Sequence, residues 1–294
     1  MRILLLVAFV VLSSMAARAQ DVPADYKAVL TALGKTGDVK DGVLKVNIPR
    51  NDLKVTIAGR PAPTPFGFGG WVALTHGSEG HDVMMGDLVL TEDQVNPVMS
   101  ALLDRGLEVT ALHNHFFHEQ PRVYFMHVHG MGTPADLAAR LKPALAIIDD
   151  AVKAAPAAGG SGAAENRLDT AALAKIVGHA GEQNGAVYKI TIGRPDIDLR
   201  EHGAAVNARM GLNTWAAFTG TDLDAMVAGD VAMLDGEVQP VLKALRSHGL
   251  DVVAMHHHMI GTTPAVIFLH YFGTGPAASL AGGVKAALDQ LGRK

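Results

Sequence analysis

Apolar positions recur along this chain in two rhythms, one of helices and one of strands. Tyr26, Val29, Leu30 and Leu33 fall at helical spacing within 25–33, and Gly34 follows as a stop. Leu44, Val46 and Ile48 share one parity within 43–55, which predicts one or two strands. The segment 59–70 is rich in Pro and Gly and reads as a loop. Strands are expected at 70–75, carrying Trp71, and at 83–90, carrying Gly86 and Asp87, with a polar turn between them. Thr91-Glu92-Asp93-Gln94 is a capping-box pattern ahead of the apolar stripe Val95, Val98, Met99 and Leu102, closed by Gly106. Strands at 107–116 and 122–129 flank a tight connection, and Thr133 precedes a helix from Pro134 to about Val152.

The pattern then restarts. Tyr188-Lys189-Ile190-Thr191-Ile192-Gly193-Arg194 aligns with Leu44-Lys45-Val46-Asn47-Ile48-Pro49-Arg50 at an offset of 144, and Trp215 aligns with Trp71. After one deletion the offset becomes 143 and pairs Asp230 with Asp87, Pro240 with Pro97 and Gly249 with Gly106. An offset held over so long a stretch means internal duplication, and each unit is too long for a solenoid repeat. The expected division is a signal peptide at 1–19, a first repeat domain at 20–153, a linker at 154–168 and a second repeat domain at 169–294. The fold class is α+β: two tandem homologous domains, each a mainly antiparallel sheet covered by helices, packed face to face about a pseudo-twofold axis.

Composition narrows the functions open to this chain. Of 294 residues 49 % are hydrophobic, enough for a core, while a net charge of −4 without a dense basic run argues against nucleic acid. Arg2, the apolar run from Ile3 to Leu12 and Ala17-Arg18-Ala19 form a secretory signal pattern, so a periplasmic or secreted protein without a membrane span after signal removal is expected. The chain has no cysteine, which excludes thiol catalysis and Cys-ligated metal sites. No Walker loop, dinucleotide loop, nucleophile elbow or HExxH motif occurs, and no nucleotide cofactor is expected.

The chemistry concentrates in histidine. His113, His115 and His127 recur as His256, His258 and His270, each 143 positions on. On a strand, residues i and i+2 face one side, so each His-x-His pair projects together. Pairing in a register such as His113 opposite Phe125 sets the third histidine beside the pair, giving one cluster in each repeat able to hold a divalent transition metal, zinc or copper. Leu112, Phe116, Met255 and Met259 should take the opposite, helix-covered face, with Val109, Ala111, Val252 and Ala254 on the histidine face. Asp87, Asp230 and Glu119 are candidate catalytic bases or additional ligands. Lys45, Lys189, Arg50 and Arg194 could bind an anionic substrate but read first as solvated strand-edge charges, Trp71 and Trp215 as core, and His129 as peripheral.

Asn96-Pro97-Val98-Met99, Leu112-His113-Asn114-His115-Phe116 and Phe125-Met126-His127-Val128-His129-Gly130 resemble the LppY/LpqO (DUF1259) family of exported bacterial proteins, over nearly the whole chain. The resemblance implies export but no particular activity, and without cysteine this sequence has no lipidation site. The functional reading is metal binding. The alternatives are a metal-dependent hydrolase using metal-activated water and a metal-free module for a small-molecule ligand.

Overall fold

The computed structural model describes residues 21–155 and 167–293. The expected signal peptide and most of the expected linker lie outside them, and the helix preceding the linker runs to Ala154. The first repeat comprises α1 (Ala24–Leu33), β1 (Gly37–Lys40), β2 (Val43–Pro49), β3 (Val55–Ile57), β4 (Arg60–Ala62), β5 (Gly69–His76), β6 (Asp82–Thr91), α2 (Glu92–Leu103), β7 (Glu108–His113), β8 (Glu119–Gln120), β9 (Val123–Gly132) and α3 (Pro134–Ala154). The second comprises α4 (Thr170–Val177), β10 (Glu182–Asn184), β11 (Val187–Gly193), β12 (Arg200–Glu201), β13 (Ala204–Ala205), β14 (Asn213–Gly220), β15 (Ala225–Met233), α5 (Asp235–Ser247), β16 (Asp251–His256), β17 (Ile267–Gly275) and α6 (Ala277–Leu288).

Each repeat builds one six-stranded antiparallel sheet, ordered β1-β2-β5-β6-β9-β7 in the first and β10-β11-β14-β15-β17-β16 in the second. Strand for strand the orders are the same. The segment 59–70, read as a loop, contains the short strand β4 and a 3-10 turn at Thr64–Phe66.

Two kinds of core hold the chain. Tyr26, Val29, Val98, Leu102, Leu137, Leu141 and Ile148 pack the helices α1, α2 and α3 on one face of the first sheet, against residues such as Leu44, Val46, Val72, Leu74 and Met126. The second repeat does the same with Leu173, Val241, Leu245, Leu280 and Val284. The opposite faces of the two sheets meet each other. There Val43, Ala73, Val83 and Met85 pack with Leu199, Met210, Leu212, Met259 and Phe268, while Val55, Phe66, Phe68, Val89, Phe116 and Phe125 pack with Val187, Ala217, Met226 and Ala228. These two clusters are mates under the 143/144 offset, so the sheets face each other across a pseudo-twofold axis. Because both faces are covered, β6 and β15 are apolar along most of their length instead of alternating.

Arg50 and Arg194 are buried anchors, not solvated edge charges. Arg50 Nη1 donates to the Val89 carbonyl at 2.7 Å and to Gln94 Oε1 at 2.8 Å, and Gln94 Oε1 accepts the Thr91 N–H at 3.0 Å. The second repeat repeats the scheme with a full charge: Arg194 donates twice to Glu237 at 2.9 Å, and Glu237 accepts the Leu234 N–H at 2.8 Å. Each arginine thus ties the end of a sheet strand to the first turn of the helix that follows β6 or β15. Removing one partner of a buried pair strands the other. Arg194→Met is therefore expected to destabilise the protein by about 3–5 kcal/mol in urea denaturation. The control Arg200→Met, at an exposed pair with Asp198, should move it by under ~0.5 kcal/mol.

Candidate functional site

The third histidine lies beside the His-x-His pair because of the strand register. His113 pairs with Phe125 and Ala111 with His127, and the second sheet repeats this as His256 with Phe268 and Ala254 with His270. A bulge at Thr110 and again at Val253 separates the parity of Ala111 from that of Val109. Val109 and Val252 consequently pack on the helix side, contrary to the expectation that they share the histidine face. Leu112 and Met255 sit on edge strands and are substantially exposed instead of covered by helices. Phe116 and Met259 follow the strand ends and turn into the space between the sheets.

One row of residues crosses four strands of the first sheet: His127 on β9, Asp87 on β6, Trp71 on β5 and Asn47 on β2. The second sheet carries the equivalent row His270, Asp230, Trp215 and Thr191. Both rows face the axis. Asp87 and Asp230 therefore stand beside the third histidine of their own sheet and do not cap a turn or helix.

The expectation of one histidine cluster in each repeat is corrected by the packing of the sheets. All six imidazoles form one cluster at the axis. His113 and His256 stack on each other with ring centroids 3.8 Å apart. His115 lies 3.7 Å from His270, and His258 lies 4.1 Å from His127. Each His-x-His pair thus meets the third histidine of the other repeat more closely than its own, since the sheets are face to face and the pair projects across the gap. Three triads have ligand atoms within 4.8 Å of one another: His113, His127 and His256; His113, His115 and His270; Asp230, His256 and His258. The last two share no residue.

The electrostatics suit uncharged imidazole. Nine ring nitrogens of these six histidines are buried without a hydrogen-bond partner, including both nitrogens of His115, His256 and His258. Such orphans are rare in native interiors. His270 Nδ1 donates to the Gly229 carbonyl at 3.3 Å, and His127 makes the matching bond to the Gly86 backbone. Each bond fixes the tautomer and leaves Nε2 as the free lone pair, the outer-shell arrangement of metal-bound histidine. Glycine is required at 229: a Cβ there would lie 2.3 Å from the Trp215 carbonyl and 2.2 Å from the Tyr271 hydroxyl. Burial pushes His113 down to about 4, and holds the other five well below the ordinary histidine value.

Asp87 and Asp230 each have one buried, unpartnered carboxylate oxygen. Burial raises Asp87 to about 7; burial and the charge of Asp87 raise Asp230 to about 8. His258 Nε2 lies 3.8 Å from Asp230 Oδ2. Glu119, the third candidate base, belongs to none of the three triads. Its Oε1 accepts the Asn114 amide at 3.2 Å and the Val123 N–H at 3.4 Å, so it secures the loop after His113. His129 is buried rather than peripheral, 3.4 Å from Glu201 of the other repeat, and stays outside the cluster.

A cavity of about 810 Å³ opens onto the cluster and is lined by His115, His127, His258 and His270 together with both aspartates. On its far wall Lys45 sits over the Trp71 ring at 4.5 Å and Lys189 over the Trp215 ring at 4.2 Å, a pairing that the sequence alone did not give. The tryptophans are half-buried walls and not interior core. Only the register, which sets Trp71 opposite Asp87, could have revealed their place. Gly211, at φ 101°, lets its loop approach Trp71 and His258 closely, where a Cβ would meet them at 3.1 and 3.3 Å. A smaller cavity of about 480 Å³ is lined by His113 together with Asn114, Phe117 and Arg122. Among the described residues no helix is long and apolar enough to cross a membrane.

The histidines lose their proton in the fold, so the unfolded state binds more protons below about pH 6.5 and stability falls as pH drops. The buried carboxylates oppose this, but six histidines outweigh Asp87, Asp230 and Glu119. The metal-free protein should therefore lose about 1.4 kcal/mol per pH unit for each net proton between pH 6.5 and 4. Thermal denaturation across that range checks it, and His113→Gln/His256→Gln should flatten the slope.

Comparison with known proteins adds a family. The family model described as "Domain of Unknown Function (DUF1259)" matches residues 27–147 and again 171–290. No curated protein matches the sequence. Among solved structures, the trimeric bacterial microcompartment shell protein PduB is 14 % identical with a TM-score of 0.21, covering 89 % of this chain and 95 % of that one. EtuB from Clostridium kluyveri is 10 % identical with a TM-score of 0.21, covering 87 % and 89 %. Neither overlap is close enough to transfer a fold, an assembly or a role.

Proposed function

The chain belongs to the DUF1259 family, and from the six-histidine cluster on its pseudo-twofold axis we propose that it binds a divalent transition metal, zinc or copper(II), as an exported protein of the periplasm or the extracellular space. The observation that carries the reading is the set of nine buried imidazole nitrogens without partners; each neutral ring offers one lone pair, so two ions held here would engage one nitrogen of each ligating histidine. Nitrogen-rich donors with a nearby carboxylate and no thiolate suit these metals over magnesium or calcium. The two disjoint triads accommodate two ions. His113 and His115 with His270 would hold one. His256 and His258 would hold the other, with Asp230 or His127 completing the set. The export reading rests on the N-terminal sequence alone.

A second reading has its own support. The cavity would give a substrate access to the cluster, and Asp87 and Asp230, pushed up to about 7 and 8, the first by burial and the second by burial and the charge of Asp87, would be the general bases beside a metal held by the histidines, which would supply activated water. On that reading the protein is a metal-dependent hydrolase, tested by turnover of activated ester and phosphoester substrates by the metal-loaded protein, with Asp87→Asn and Asp230→Asn as variants.

Elemental analysis of the purified, metal-reconstituted protein is expected to return about two equivalents per chain. His270→Ala should lose one equivalent, although it lies in the repeat opposite His113 and His115, and His113→Ala/His256→Ala should lose both. A single equivalent in the wild type would set the ion on the axis between His113, His127 and His256. No retained metal, with thermal stability unchanged by chelator, overturns the metal reading and leaves the histidines as hydrogen-bonding groups of a metal-free binding module.

A further inference from the structure

The geometry points to a second function for the cavity beyond the histidines: it is a binding site for a small oxyanion, a carboxylate- or phosphate-bearing molecule, held between the ammonium groups of Lys45 and Lys189. The two lysines are mates under the 144 offset, each on the inner face of its sheet, and each carries its charge on the face of a tryptophan. Neither has a carboxylate within 4 Å among the described residues, while Arg209 at the same cavity is paired with Asp38.

Like charges that face one chamber repel: burial lowers each lysine, a neighbouring cation adds to it (Arg209 for Lys45, Lys45 for Lys189), and Asp38, Asp87 and Asp230 offset it only in part. A fold keeps such a pair when something anionic sits between them. Asp87 and Asp230 stand two strands inward, next to the histidines; they offset part of the lysines' charge through space, but neither forms an ion pair with an ammonium group. Asn47 and Thr191, at the ends of the two rows, add neutral polar groups on the same wall. An oxyanion in this position has its charged head on the lysines and its remaining atoms directed along the cavity toward the cluster. The site stands on the lysines and the cavity; it rests on the metal reading only for the contact between the ligand and a bound ion.

The chain's two tryptophans are both cavity walls, so their emission is a direct reporter. Titrating inorganic phosphate, malonate and, as a neutral control, glucose into metal-free and zinc-loaded protein tests the inference. Expected is a saturable emission change with at least one oxyanion and none with glucose, and a Kd raised at least tenfold in Lys45→Met/Lys189→Met. That variant removes a buried repulsion and should fold, and its far-UV dichroism and zinc content should match wild type. The single variants Lys45→Gln and Lys189→Gln give intermediate losses. The stronger of phosphate and malonate identifies the head group. Saturable oxyanion binding in the metal-free protein supports the site even if zinc is not retained. No saturable response to either oxyanion in either form, or a Kd indifferent to the lysine changes while zinc is held normally, overturns it.

Discussion

Six imidazoles removed from water, three of them with no hydrogen-bond partner and three with one, are the constraint around which this structure is arranged. Burying one unsatisfied polar atom costs on the order of 1–3 kcal/mol, and nine such nitrogens lie in one cluster. The apolar packing between the sheets must carry that burden in the metal-free protein. It does so symmetrically, with one apolar cluster on each side of the polar rows. The helix-covered cores pack the outer face of each sheet.

The same arrangement makes the site polar in a graded way. From the axis outward the rows pass from histidine through aspartate and tryptophan to Asn47 and Thr191, with the lysines alongside. Neutral donors for a metal lie deepest, acids come next, and cations stand at the wall farthest from the cluster. A cation bound at the histidines would thus be separated from the lysines by the strands that carry the aspartates and tryptophans, which limits the repulsion between them.

Much of this was legible in the sequence. The duplication, the antiparallel sheets, the helices after Thr91 and Thr133, and the residues of the histidine trios all followed from parity, caps and a constant offset. What did not follow depended on packing between the repeats. His270 meets His115 across the interface, and no pattern within one repeat reports a partner 155 positions away. The bulges at Thr110 and Val253 reversed the face assigned to Val109 and Val252, because one inserted residue flips every earlier side chain. Arg50 and Arg194 looked like edge charges since their partners, Gln94 and Glu237, are 43 or 44 positions on and gave only a capping signal.

The exchange of histidines between the repeats has a bearing on how the chain is joined. Two unlinked copies of one repeat could assemble the same cluster only by dimerising, at a yield set by their concentration. Joined in one chain, the halves meet at an effective concentration set by the length of the connecting segment and no longer by the protein concentration. Fusion also releases the halves from identity. Where an unlinked dimer would carry His129 twice, this chain has Phe272 at the matching position, and where it would carry Glu119 twice it has Thr262. The two repeats are therefore free to diverge chemically at such positions while the six histidines stay paired.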